Sequence, residues 1–241
     1  MFSLATLIGI YSYVIFSLGV LGLIYKPIVL LISIIYFFLC TYYFKIPLIN
    51  FFNFIKHRKK LLRKASAEHL IKLIEKNKLV CVLLLLLLFQ ALINLIGVLG
   101  PEISFDALWY HLTLPKLYIL QNGIFHIPGN LLFYSDTPKL TEMLYIPLQL
   151  FGNELGAKLV HFIFGILTLI VIYKISSKYL SKKLSLLAVF IFYSNLVVGW
   201  ESITAYIDLA RTFFEIMALW GFLNWAENKQ KKWVVISGTM L

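Results

Sequence analysis

Six stretches of this chain, at about residues 4–24, 28–44, 79–99, 155–173, 184–200 and 207–226, are apolar almost without interruption, and a seventh opens at Trp233 and is still running at Leu241. A bilayer core takes about 20 apolar residues of helix per crossing, and inside it every backbone amide must find its partner within the chain. The pattern therefore predicts an all-α fold, a polytopic transmembrane helical bundle. Composition agrees: 61% of the residues are hydrophobic and 14% charged, against about 45–50% and 25% in an ordinary soluble domain. A plain soluble globule is excluded. A backbone that stops inside a span leaves its carboxylate without water, so the sequence reads as the N-terminal fragment of a longer protein.

The formal charge of +11 does not point to nucleic acid, because the basic residues sit in short clusters between apolar runs rather than on one water-exposed face. Seventeen of the 22 lie at 45–78, 174–183 and 229–232, and six spans put all three clusters on one side. Lysine and arginine concentrate in cytoplasmic loops, so that side and the N-terminus are predicted to be cytoplasmic, in a plasma (inner) membrane. The first run lacks a basic leader and is followed at once by a second, which predicts an uncleaved span rather than a signal peptide. Leu62, Leu70, Leu73 and Ile74 form an apolar stripe in the first basic loop, as in an amphipathic helix on anionic membrane lipids. Cys40 and Cys81 lie within or beside apolar runs and read as small hydrophobes, without a disulfide framework or zinc site. The chain divides into residues 1–78, two spans and a basic loop, and 79–241, the spans that follow.

On the opposite, external side, residues 100–154 and the turn near 200–206 reverse the balance. They hold Glu102, Asp106, Asp136, Glu142, Glu154 and Glu201, with Asp208 just beyond, against only Lys116 and Lys139. Residues 106–120 read as an interfacial helix with Trp109, Tyr110 and Tyr118 at headgroup depth and Gly123 as a stop. A turn is expected at 126–130, where Pro128 and Gly129 set the backbone. Asp136 or Thr137 is expected to cap a further helix with Pro138 in its first turn. Its apolar part, 140–150, is too short to span and contains Pro147.

Three places carry chemistry. Asp106 follows the third span at once, where a carboxylate is partly desolvated and suited to accept a proton from a hydroxyl; it serves equally well as the N-cap of the interfacial helix. If 201–215 is helical throughout, Glu201, Thr204, Arg211, Thr212 and Glu215 all lie within about 60 degrees of Asp208, a polar stripe pointing at the bundle interior. The alternative is a self-compensating ladder in which Arg211 pairs with Glu215 and Asp208. Lys139, in the first turn of its helix, is placed to hold a phosphate together with the amides, or else to snorkel. His111, His126 and His161 are too scattered for a metal site, with His161 a packing residue inside a span. Gly100 and Pro101 shape a turn. No glycine-rich phosphate loop, CxxC pair or HExxH motif is present.

A span followed by FDALWYHLTLPKLYILQNG, then TPKLTEMLYIPLQLFGNELGAKLVHFIFGILTLIVIY, a basic turn and SITAYIDLARTFF resembles the N-terminal half of bacterial GT-C membrane glycosyltransferases, in the branch of protein mannosyltransferases and lipid A aminoarabinose transferases. The resemblance covers about residues 79–241. It implies a truncated transmembrane catalytic domain that moves a sugar from a polyprenyl-phosphate-linked donor to a glycan, lipid or protein acceptor on the external face. It implies Asp106 and Asp208 as catalytic acids and Lys139 as the donor-phosphate contact; Tyr110, His111, Glu201 and Arg211, close to these in the sequence, are expected as substrate contacts. The paired prolines common in that family are replaced by Pro138-Lys139, and no adjacent acidic pair follows the third span. The acids could ligate a divalent metal ion, though no motif fixes one. The competing class is a transporter or channel fragment with an acidic intramembrane pathway, which an internal repeat with broken helices would favour; none is visible.

Overall fold

The computed structural model describes residues 1–64 and 77–241, and among these there are helices and turns but no strand. The helices are α1 (Phe2–Val20), α2 (Lys26–Lys64), α3 (Lys78–Leu99), α4 (Thr113–Leu120), α5 (Leu140–Met143), α6 (Tyr145–Phe151), α7 (Leu155–Tyr179), α8 (Lys182–Tyr193), α9 (Leu196–Glu201), α10 (Asp208–Asn228) and α11 (Lys231–Gly238). Among the described residues four segments, Phe2–Val20, Lys26–Phe44, Lys78–Leu99 and Leu155–Tyr179, are long and apolar enough to cross a membrane. The chain is an all-helical membrane bundle.

Four details differ from expectation. The second helix continues past Phe44 to Lys64, 39 residues in all, and most of the predicted amphipathic stripe lies outside the described residues. The fifth apolar run is broken at Ser194 and Asn195, because the Asn195 side chain accepts from Val197 N at 2.9 Å and starts a new helix. The sixth run makes a 21-residue helix, α10, whose Asp208, Arg211, Glu215 and Glu227 leave it more polar than the four candidate spans. Neither Asp136 nor Thr137 caps a helix: Phe133–Asp136 is a 3₁₀ turn, Thr137 is extended and bonds back to Tyr134 O, and α5 starts only at Leu140. Pro138 therefore precedes the helix instead of opening it, and the same stretch continues as α6, well short of a span.

The ends of α1 and α4 are locked together. Gly22, at φ 69°, lets Leu23 N reach Leu18 O, and Asn122, at φ 56°, lets Gly123 N reach Tyr118 O, so both helices close with a left-handed residue. The two exits then pair through Ile24 N to Asn122 O and Ile124 N to Gly19 O. A Cβ on Gly123 would stand 3.1 Å from Gly19 O, so the stop predicted there is needed for close approach rather than for its φ.

Among the described residues, two of three apolar clusters tie α1 into the bundle. One joins Ala5 of α1 to Phe164 and Val171 of α7 and to Leu209, Phe213 and Met217 of α10. The other joins Ile15 and Leu18 of α1 and Val29 of α2 to Leu114, Tyr118 and Met143. At one end of the bundle Lys178 meets Glu227 at 3.1 Å, and the amino terminus lies within electrostatic reach of Lys174. Two of the basic clusters and the N-terminus therefore share an end.

At the other end, Lys158 is 2% exposed, yet its ammonium donates to Gly97 O at 3.2 Å, Gly100 O at 2.8 Å and Pro101 O at 3.3 Å. These carbonyls belong to the last turn and exit of α3, where intrahelical donors run out. One side chain of α7 thus ends α3 and aims the chain into the following loop. Lys158→Met keeps the length but leaves the carbonyls bare, and should cost about 3 kcal/mol. A marked drop in the unfolding midpoint of the detergent-solubilised chain is the expected result, and an unchanged midpoint would show that water replaces the lysine.

Candidate active site

The turn between α9 and α10 has few backbone bonds of its own, and three side chains from elsewhere in the fold hold it. Glu102 Oε2 accepts from Ala205 N at 2.7 Å, the Tyr145 hydroxyl donates to Tyr206 O, and His161 Nδ1 donates to Thr204 O at 2.9 Å. Leu209 N donates to His161 Nε2 at 3.0 Å. Both ring nitrogens are used, one as donor and one as acceptor, so His161 is the neutral Nδ1–H tautomer. The packing role expected of it is a backbone-holding role.

Glu102 has a second task. Its Oε1 accepts from Ile103 N at 3.0 Å and Ser104 N at 2.9 Å, which fixes the backbone entering the loop that bears Asp106, and Leu108 N is already bonded to Ser104 O at 3.1 Å. Asp106 has helical backbone angles and makes no side-chain capping bond. The carboxylate is released for other use. It is followed by a π turn, Ala107–His111, closed by Leu112 N to Ala107 O at 2.9 Å. A π turn closes five residues on instead of four, so Asp106 and His111 come to the same side of the backbone, where an α-helix would set them about 140 degrees apart.

A cavity of about 570 Å³ opens beside this turn. Its wall includes Asp106, Tyr110, His111, Lys139, Glu201 and Asp208, every sequence candidate except Arg211. It also includes Glu142 and Tyr134, which the sequence reading did not assign to a site. Glu142 stands three residues after Lys139, close enough on a turn to share its side, and that spacing was the available signal. Tyr134 stacks on Tyr110 with ring centres 3.9 Å apart and closes one flank.

The expected six-residue stripe does not form, because 202–207 is a turn and α10 begins at Asp208. Glu201 and Asp208 meet in the cavity across that turn, not along one helix. Arg211 points away, its Nε 2.7 Å from Glu215 Oε1 in an exposed i,i+4 pair, which is the ladder alternative for those two. It lines a neighbouring hollow of about 430 Å³ with Pro138, Thr141 and Glu142. Lys139 precedes a four-residue helix, too short to offer a helix N-terminus, so any anion contact there rests on its ammonium.

The charges divide by wall. Glu201 is buried and its Oε2 has no hydrogen-bond partner; burial, then Asp208 and Asp106, push its carboxyl up to about 7. Burial also draws the Lys139 ammonium below the usual lysine value, against the pull of Glu142 and Asp136. Among the described residues it donates to Thr137 Oγ1 at 3.2 Å. Burial and the Asp106 charge raise the Tyr110 phenol, which stays a donor. Among the described residues no three His, Cys, Asp or Glu side chains are grouped to hold a metal ion.

Residues 138–241 match the family model of dolichyl-phosphate-mannose-protein mannosyltransferases. No curated protein and no solved structure matches the chain. The match supports a membrane glycosyltransferase of the GT-C type. It includes Lys139, Glu142, Glu201 and Asp208 and begins after Asp106, Tyr110 and His111, a shorter reach than the resemblance read from the sequence.

The raised Glu201 carboxyl makes stability depend on pH. Below about 4.5 the group is protonated folded or unfolded and costs nothing; as pH climbs from there to about 7 the unfolded chain ionises first, and stability falls. The loss is at most about 3 kcal/mol, from about 1.36 kcal/mol per unit. Glu201→Gln should flatten the unfolding midpoint over that window and raise it at pH 8. Parallel profiles for the two proteins would contradict the assignment.

Proposed function

We propose that the chain is the catalytic part of a membrane glycosyltransferase that moves a sugar from a polyprenyl-phosphate donor to an acceptor hydroxyl on the external face. The observation that carries this is one cavity in which a lysine and several carboxylates meet at the end of the bundle opposite Lys174 and Lys178. The hollows beyond it support a lipid-linked donor. The cavity shares Pro138, Glu142 and Ile207 with the hollow at Arg211, and that hollow shares Leu144 and Phe164 with an apolar groove of about 820 Å³ between α1, α2 and α7. An isoprenoid tail in the groove brings its phosphate to the cavity.

In the transfer, the acceptor oxygen attacks the anomeric carbon as the bond from that carbon to the phosphate oxygen breaks, and the electron pair leaves with the phosphate. Asp106 takes the acceptor proton, and Asp208 lies across the same cavity to orient the attacking group. Lys139 offsets the charge growing on the phosphate. The side chains around the cavity keep water from competing with the acceptor. Glu201 and Tyr110 are placed as hydrogen-bonding contacts for sugar hydroxyls.

Asp106→Asn removes charge and basicity while keeping shape. Turnover by the full-length protein with a labelled polyprenyl-phosphate sugar should fall about 10² to 10⁴-fold, or about 3 to 5 kcal/mol, with an unchanged unfolding midpoint. Retention of more than a tenth of the activity would move the base to Asp208.

For sidedness, a cysteine placed at Asn130, which is exposed, should react with an impermeant reagent added from outside, and one at Ser66 should not. The opposite pattern would reverse the topology.

A further inference from the structure

His111 and Glu142 come from separate elements, the π turn and α5, and meet at 2.9 Å between Nδ1 and Oε1 with side chains only 4% and 2% exposed. A carboxylate sealed against an imidazole accepts its Nδ1 proton and fixes the ring plane. That leaves Nε2, for which the described residues provide no hydrogen bond, at the wall of the cavity. The pair is too buried to serve as a surface ion pair, and the packing of α5 does not need it, since Met143 and Ile146 already anchor that stretch in the core.

The position of the pair gives it a use. Glu201 interacts electrostatically with Asp208 and with Asp106, and these acids repel any anion that enters. Glu142 interacts instead with Lys139. A phosphate in this cavity therefore has one wall to rest on, formed by Lys139 and His111. Lys139 brings its ammonium to that wall, and the Nε2 edge of His111 is presented beside it while Nδ1 is engaged by Glu142.

We propose that Glu142 is a positioning residue for His111, and that His111 so held donates from Nε2 to a phosphate oxygen beside Lys139. This rests on the proposed donor class and adds a second contact, with its support, to the phosphate end of the reaction. Lys139 supplies a mobile point charge; His111 supplies a directed donor whose aim Glu142 sets.

Binding of farnesyl phosphate to the full-length protein in detergent tests this without requiring turnover. His111→Gln should weaken it about tenfold, the scale of one charge-assisted hydrogen bond, and Glu142→Gln by a similar factor. Because Glu142 acts through His111, adding Glu142→Gln to His111→Gln should cost nothing more. Farnesol should bind equally to all four proteins, which separates loss of the phosphate contact from general damage. Inorganic phosphate as a second probe distinguishes sources: the same pattern with it means that the wall reads phosphate alone, and no binding means that the lipid is needed to seat it. Additive losses, or an unaltered farnesyl phosphate affinity in Glu142→Gln, would overturn the proposal. If wild type binds farnesyl phosphate in the expected pattern yet transfers no sugar, the phosphate subsite stands and the transferase reading falls.

Discussion

Wherever a helix stops in apolar surroundings, its last carbonyls and first amides lose water before they gain another partner, and this fold answers that constraint at the ends that frame the cavity. Lys158 covers the carbonyls at the end of α3, while Glu102, Tyr145 and His161 hold the backbone that joins α9 to α10. Lys158 and His161 stand one turn apart on α7, so a single rigid helix fixes both the loop bearing Asp106 and the turn before Asp208. The separation of the catalytic candidates is thereby set by backbone hydrogen bonding, not by contacts between the candidates.

This explains what the sequence made legible. Apolar runs of bilayer length report helices directly, and α1, α3 and α7 lie close to where hydropathy places them. Acids clustered in one segment between two spans report a polar site, and Asp106, Lys139, Glu201 and Asp208 do line one cavity. The helical stripe failed because it assumed one helix through 201–215, whereas the polar side chains of Glu102, His161 and Tyr145 stabilise an open turn there. Those partners lie tens of residues away, and no local pattern reveals them.

The same limit hid Lys158 and the partner of Glu142. A lysine within an apolar run reads as an edge residue, and a glutamate in a short helix reads as solvated; only the fold brings carbonyls to one and an imidazole to the other. Asp106 was ambiguous between capping and chemistry, and in the fold it makes no side-chain capping bond because Leu108 N bonds back to Ser104 O. The π turn is also invisible to periodicity, since one extra residue per turn shifts the phase without changing composition.

The direction of synthesis gives the buried Lys158 a further meaning. A lysine entering a membrane in a nascent helix is costly until it finds oxygen atoms. Its acceptors, Gly97, Gly100 and Pro101, precede it by 57 to 61 residues, so the ribosome has already delivered them when α7 emerges. His161 has the opposite order, with Thr204 and Leu209 following 43 and 48 residues later. The side chain that must wait for its partners is the one able to wait uncharged.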